Sequence, residues 1–167
     1  MEIRKTVILS MLLALSVVLS IIESFIPIFN GIIPGMKIGL ANILIVYSLY
    51  IYGFKDTIFL AILRVLLVGI LRTGIFSIGF FLSLSGGVLS ICMMYLAKKT
   101  KLSIIGVSII GAISHSVGQI FMAVILLNSF NLIYYLPYLF IFSIITGSII
   151  GNISKELIKK IPNYCNW

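Results

Sequence analysis

From residue 102 to residue 127 the chain carries no Asp, Glu, Lys or Arg, and His115 is the one titratable side chain other than its ends' neighbours. That run is longer than the roughly 20 residues a helix needs to cross a ~30 Å hydrocarbon core. Comparable apolar runs cover residues 6–25, 75–97 and 133–158, and two shorter ones cover 38–53 and 57–71. The composition agrees: hydrophobic residues make up 61%, charged residues 10%, and the mean hydropathy is +1.26. A soluble domain carries about 25% charged residues. One of this size leaves roughly a third of its unfolded surface exposed, which so few polar residues cannot cover. The expectation is an all-α, polytopic membrane protein: one compact bundle of six transmembrane helices over residues 1–160, then a short polar tail over 161–167.

The start, MEIRKTVILSMLLALSVVLS, has the basic cap and apolar run of a signal peptide. No soluble body follows it, so it reads as a retained membrane helix. The two short segments must be re-entrant, mismatched or sunk among longer neighbours. Alternating the six segments puts Arg4, Lys5, Lys55, Lys98, Lys99, Lys101, Lys155, Lys159 and Lys160 on one side, against Lys37 and Arg72 on the other. The positive-inside rule then places both termini in the cytoplasm, with the chain in the cytoplasmic membrane. Because the basic residues flank apolar runs and form no stripe, nucleic acid is not an expected partner.

Motifs for several chemistries are missing. There is no GxxxxGK[ST] loop for ATP, and the single aspartate, Asp56, offers no acidic pair to hold Mg²⁺ on a diphosphate. Cys92 and Cys165 have no CxxC spacing and one histidine to join them, so no metal site is expected. No catalytic residue, metal ligand or cofactor-binding residue is assigned.

The informative residues are the few polar ones within apolar runs. An ionisable group at a helix centre costs at least about 2.5 kcal/mol in a bilayer, so each must face the bundle interior or a wet cavity. By the ~1.5 Å rise per residue, His115 lies about 20 Å above the inner end of its helix, with Gln119 one turn further out on the same face. Asn42 should lie one turn below the outer end of the second helix, and Glu23 within a turn of the outer end of the first. Arg72 should cap the outer end of the third, and Lys37 should sit in the outer loop. These positions converge on one level, so Glu23, Lys37, Asn42, Arg72, His115 and Gln119 are candidate ligand-binding residues, with Ser114 and Ser116 as uncharged companions. Arg64, deeper in the third helix, either holds an anion at the pocket floor or bonds backbone carbonyls freed near Gly69. His115 also has a plainer reading as an interhelical hydrogen bond, and Lys37 and Arg72 as interfacial anchors. Small residues recur at four-residue spacing: Ser10 and Ala14; Gly79, Ser83 and Gly87; Ser143, Gly147 and Gly151. This spacing lets helices approach closely.

The stretches IIPGMKIGLAN, YGFKD, LRTGIF, FLSLSGGVLS and SIIGAISHSVGQ resemble the bacterial Gx transporter family, also labelled heptaprenyl diphosphate synthase component I. The likeness runs from about residue 5 to 160. The architecture is also similar to the substrate-binding S components of energy-coupling factor (ECF) transporters. That resemblance implies a small-molecule ligand near the outer face, and a membrane coupling protein with cytoplasmic ATPases docked on Ser10 and Ala14. The favoured expectation is a solute-binding membrane component for a small anionic or polar molecule. The alternatives are a non-catalytic membrane subunit of a heptaprenyl diphosphate synthase or isoprenoid-quinone pathway, and a scaffold for another membrane complex.

Overall fold

The computed structural model describes residues 2–25 and 39–161. Six α-helices appear among them: α1 (Glu2–Phe25), α2 (Asn42–Ile51), α3 (Phe54–Val68), α4 (Ile78–Lys99), α5 (Ile104–Leu127) and α6 (Leu136–Lys160). There is no strand among the described residues. Four stretches are long and apolar enough to cross a membrane: Ile3–Phe25, Ile78–Lys99, Ile104–Leu127 and Phe130–Lys160. The protein is a helical membrane protein.

The helix ends follow local chemistry. Ser77 and Ser103 cap α4 and α5, their hydroxyls accepting from the Phe80 and Gly106 amides at 3.2 Å. Asn128 ends α5 in the left-handed conformation, and Pro137 lies in the first turn of α6. Lys98 and Lys99, and Lys159 and Lys160, occupy the last turns of α4 and α6, where cations complement the helix dipole.

The two short segments resolve differently. α3 is 15 residues of α-helix, but 5 residues of π-helix, Gly69–Thr73, continue it, so together they reach spanning length. The sequence pattern, read as 57–71, misses both ends of this element. α2 has 10 residues, about 15 Å, and starts at Asn42 rather than near residue 38. Asn42 therefore opens the helix instead of lying one turn inside it. α2 is sunk among its neighbours: Leu44, Ile45, Val46, Tyr47, Ser48 and Leu49 are all buried. Two of its carbonyls accept from side chains of longer helices. Lys98 Nζ donates to the Leu49 carbonyl at 3.0 Å and Ser154 Oγ to that of Ile43 at 3.3 Å.

Five helices close a ring, α2–α3–α4–α5–α6 and back to α2, and α1 leans on α3 from outside. The ring has two ends. At one end the helix termini carry the lysines, with Lys5 paired to Asp56 at 2.7 Å and Lys98 over the Tyr50 ring at 4.7 Å. This half holds the apolar core, including Ile45, Leu49, Leu60, Ile91, Met94 and Val107. At the other end the core gives way to a polar cavity.

α4, α5 and α6 touch almost backbone to backbone. A Cβ on Gly118 would lie 2.9 Å from the Gly86 Cα, and one on Gly147 or Gly151 would lie 2.8 or 2.7 Å from the Cα of Ile109 or Ile105. The small-residue spacing of α6 thus marks its contact face. On α4 the expected face is off by one position. Gly87 has nothing within 4 Å of an added Cβ, whereas Gly86 would meet the His115 carbonyl at 2.8 Å. Hydroxyls seal the seams: Ser85 Oγ donates to the Gly118 carbonyl at 2.9 Å and Ser90 Oγ to that of Gly111 at 2.8 Å.

Candidate functional site

The cavity has a volume of about 110 Å³ and lies between α1, the start of α2, the end of α3, α4, α5 and the first half of α6. Of the residues singled out from sequence, Glu23, Asn42, Arg64, Arg72, His115 and Gln119 all line it. Lys37 lies outside the described residues. Ser10 and Ala14 are exposed on α1, far along the helix from the cavity, and the Ser10 hydroxyl donates to the Thr6 carbonyl of its own helix at 2.9 Å. Ser114 is buried but does not line the cavity, whereas Ser116 does.

Glu23 is 7% exposed. Its Oε1 accepts from the Gly39 amide and its Oε2 from the Leu40 amide at 3.1 Å. Gly39 has φ +84°, a conformation that favours glycine, and it turns two consecutive N–H groups toward the carboxylate. The turn closes with the Asn42 amide donating to the Gly39 carbonyl at 2.8 Å. This positions the Asn42 side chain, whose Oδ1 accepts from Arg64 Nη1 at 3.2 Å. One polar chain therefore links α1, the start of α2 and the middle of α3.

Arg64 is 8% exposed and takes the side chain of Asn42 rather than carbonyls near Gly69. A guanidinium has five N–H donors. The bond to Asn42 is the one that Arg64 makes among the described residues. Arg72, at the exposed rim, donates to the Ser24 carbonyl at 3.0 Å and stacks over Phe25 at 4.8 Å. The π-helical turn that carries Arg72 brings it back toward α1.

The opposite wall is uncharged. Gln119 is 8% exposed, and its carboxamide has no hydrogen-bond partner among the described residues. Ser116 and Ser143 share a hydrogen bond at 2.8 Å between α5 and α6. His115 is partly buried one turn below Gln119, with Gly86 of α4 packed against both. Thr146 and the apolar Val65, Val68, Phe80, Leu139, Phe142 and Ile150 complete the wall.

Sequence reasoning missed several lining residues, among them Ser20, Ser24, Ser83 and Thr146. Their signal is weak because a helical hydroxyl satisfies itself on the preceding turn, as Ser20 does on the Ser16 carbonyl at 2.8 Å. Ser83 and Ser143 carry the small-residue spacing of α4 and α6 and also face the cavity.

Fold and site together define a helical membrane protein with a polar cavity at the end of the bundle away from the lysines of the described residues. The family model for heptaprenyl diphosphate synthase component I matches residues 12–157, and the chain belongs to that family. No curated protein and no solved structure matches the chain.

Proposed function

We propose that this protein is the solute-binding membrane component of a small-molecule transporter, similar in kind to an ECF S component. The observation behind it is that Glu23, Asn42, Arg64, Arg72, His115 and Gln119, which come from different segments of the chain, line one cavity. A polar group left in lipid-like surroundings is costly, and a site that binds a solute gives such groups a purpose. The bundle would cross the cytoplasmic membrane of a bacterium six times with both termini inside. The cavity would then open outward, since the lysine-rich helix ends mark the cytoplasmic side. Glu23, Lys37, Asn42, Arg64, Arg72, His115 and Gln119 would serve an anionic or polar solute. Ser10 and Ala14 would let a membrane coupling protein with cytoplasmic ATPases approach α1 closely.

The family description favours a second reading, a non-catalytic membrane subunit of a heptaprenyl diphosphate synthase. Against it, Asp56, the single aspartate, is paired with Lys5 at the end remote from the cavity. Purification of the tagged full-length protein in mild detergent, with mass spectrometry of everything retained, separates the two. A stoichiometric small polar molecule, or a coupling protein with ATPases, is the expected result. Recovery of a soluble prenyl synthase with neither of these would overturn the transport reading.

A further inference from the structure

Three features of the cavity restrict what fits in it, and the argument rests on the solute-binding reading above. The first is charge. Glu23 and Arg64 are both buried, but each is engaged elsewhere: the carboxylate with the Gly39 and Leu40 amides, and one guanidinium N–H with Asn42. The remaining Arg64 donors have no hydrogen-bond partner among the described residues, although the Glu23 carboxylate is near enough to attract the guanidinium. A planar guanidinium fits a carboxylate with two parallel hydrogen bonds. A second negative charge on the ligand would meet Glu23, with Arg72 already held at the rim by Ser24 and Phe25.

The second feature is the Gln119 carboxamide, which offers both a donor and an acceptor from α5 and has no hydrogen-bond partner among the described residues. A buried amide without a partner is destabilising, and a ligand in the cavity would satisfy it. The third is size. The cavity encloses about 110 Å³. An apolar cavity of about 150 Å³ accommodates benzene, so a ligand of about six non-hydrogen atoms is the scale that fits.

We infer that the cavity binds a small organic monocarboxylate, its carboxylate on Arg64 and a hydroxyl, carbonyl or amide at its other end on Gln119.

The test uses the full-length protein in lipid nanodiscs and equilibrium titration with glycolate, lactate, pyruvate and oxamate. Each acid is paired with its uncharged primary amide, and malonate and isopentenyl diphosphate serve as dianionic and diphosphate probes. At least one acid should bind about tenfold or more tightly than its own amide and than either multiply charged probe. Arg64→Gln should abolish that preference for the acid. Gln119→Met should weaken the acid about tenfold while leaving the thermal unfolding temperature of the empty protein equal or higher, because it removes an unsatisfied buried amide. Equal binding of acids and amides, tighter binding of malonate or the diphosphate, or no binding of any acid overturns the assignment. A neutral or larger molecule that co-purifies stoichiometrically also overturns it, yet leaves the solute-binding reading intact. Failure of the acids together with recovery of a prenyl synthase alone removes both.

Discussion

The two halves of the bundle are held together by different physics. In α4–α6, backbones meet across glycines, and serine hydroxyls bridge to carbonyls on the facing helix. In α1–α3, the links at the cavity end are side-chain contacts made by Glu23, Asn42, Arg64 and Arg72. Much of α1 faces outward, with Ile3, Val7, Met11, Leu15, Val18 and Ile22 exposed. The site divides along the same line. The N-terminal half supplies its arginines, its carboxylate and the Asn42 amide, and the C-terminal half supplies the Gln119 amide, the imidazole and most of its hydroxyls. Apolar burial does not drive helices together in lipid, so close packing must hold a rigid unit and polar contacts a looser one. The wall with Gln119 is thus fixed by packing, whereas the wall with Arg64 depends on a hydrogen-bonded chain.

The largest effect should come from breaking the packed half. Gly118→Ala would put a methyl group 2.9 Å from the Gly86 Cα and 3.0 Å from the Ser85 carbonyl oxygen. Backbone cannot yield as a side-chain tip can, so about 3 kcal/mol of stability should be lost. Gly87→Ala is the matched control. It has nothing within 4 Å, and it should be neutral or stabilise by up to about 1 kcal/mol through helix propensity. Thermal unfolding in detergent reads both, and equal effects would mean that the seam is not tightly packed.

The polar residues that line the cavity were legible in the sequence, the division between the halves was not, and the reasons are specific. Charged groups are so costly in hydrocarbon that Glu23, Arg64 and Arg72 had few places to go, and helical spacing alone put Gln119 on the face of His115. What escaped was pairing and register. The adjacent Gly86 and Gly87 both fit a helix–helix contact, and only the neighbour's position decides which is used. The Arg64–Asn42 bond joins residues 22 apart in sequence and depends on where α2 begins. The extension of α3 through Gly69–Thr73 has no periodic signature, since a π-helical turn departs from the 3.6-residue spacing.

In the looser half, Glu23→Gln keeps the shape and removes the charge. An amide has one acceptor oxygen where the carboxylate offers two, so the Gly39 and Leu40 amides lose a charge-assisted partner. The expected cost is about 1.5–3 kcal/mol. It should appear as faster hydrogen exchange at Gly39, Leu40 and Asn42, with the α4–α5 seam unchanged. Faster exchange in both places would show that the halves are one cooperative unit. A smaller effect should come from Ser116 and Ser143. The coupling from a Ser116→Ala/Ser143→Ala double-mutant cycle should be about 0.6 kcal/mol, the average for such bonds in membrane helices. A coupling near zero would leave glycine contact and the apolar cluster of Ile120 and Leu139 to hold α5 against α6.

The smallest effect should come from the far end of α1. Lys5 pairs with Asp56 at 2.7 Å, but their side chains are 42% and 26% exposed. Exposed pairs contribute about 0.2–1 kcal/mol, and salt screens them. Asp56→Asn should therefore lower stability by at most about 0.5 kcal/mol at low salt and by nothing measurable near 1 M, where the Debye length falls to about 3 Å. A loss that persists in salt would mean that the pair is shielded and clamps α1 firmly. If the loss disappears, α1 is held by the apolar packing of Leu9, Leu12 and Leu13 and, at the cavity end, by Glu23 and Arg72. Ligand occupancy and the position of α1 would then share one set of contacts, and a solute at Arg64 could be sensed by whatever meets the exposed face of that helix.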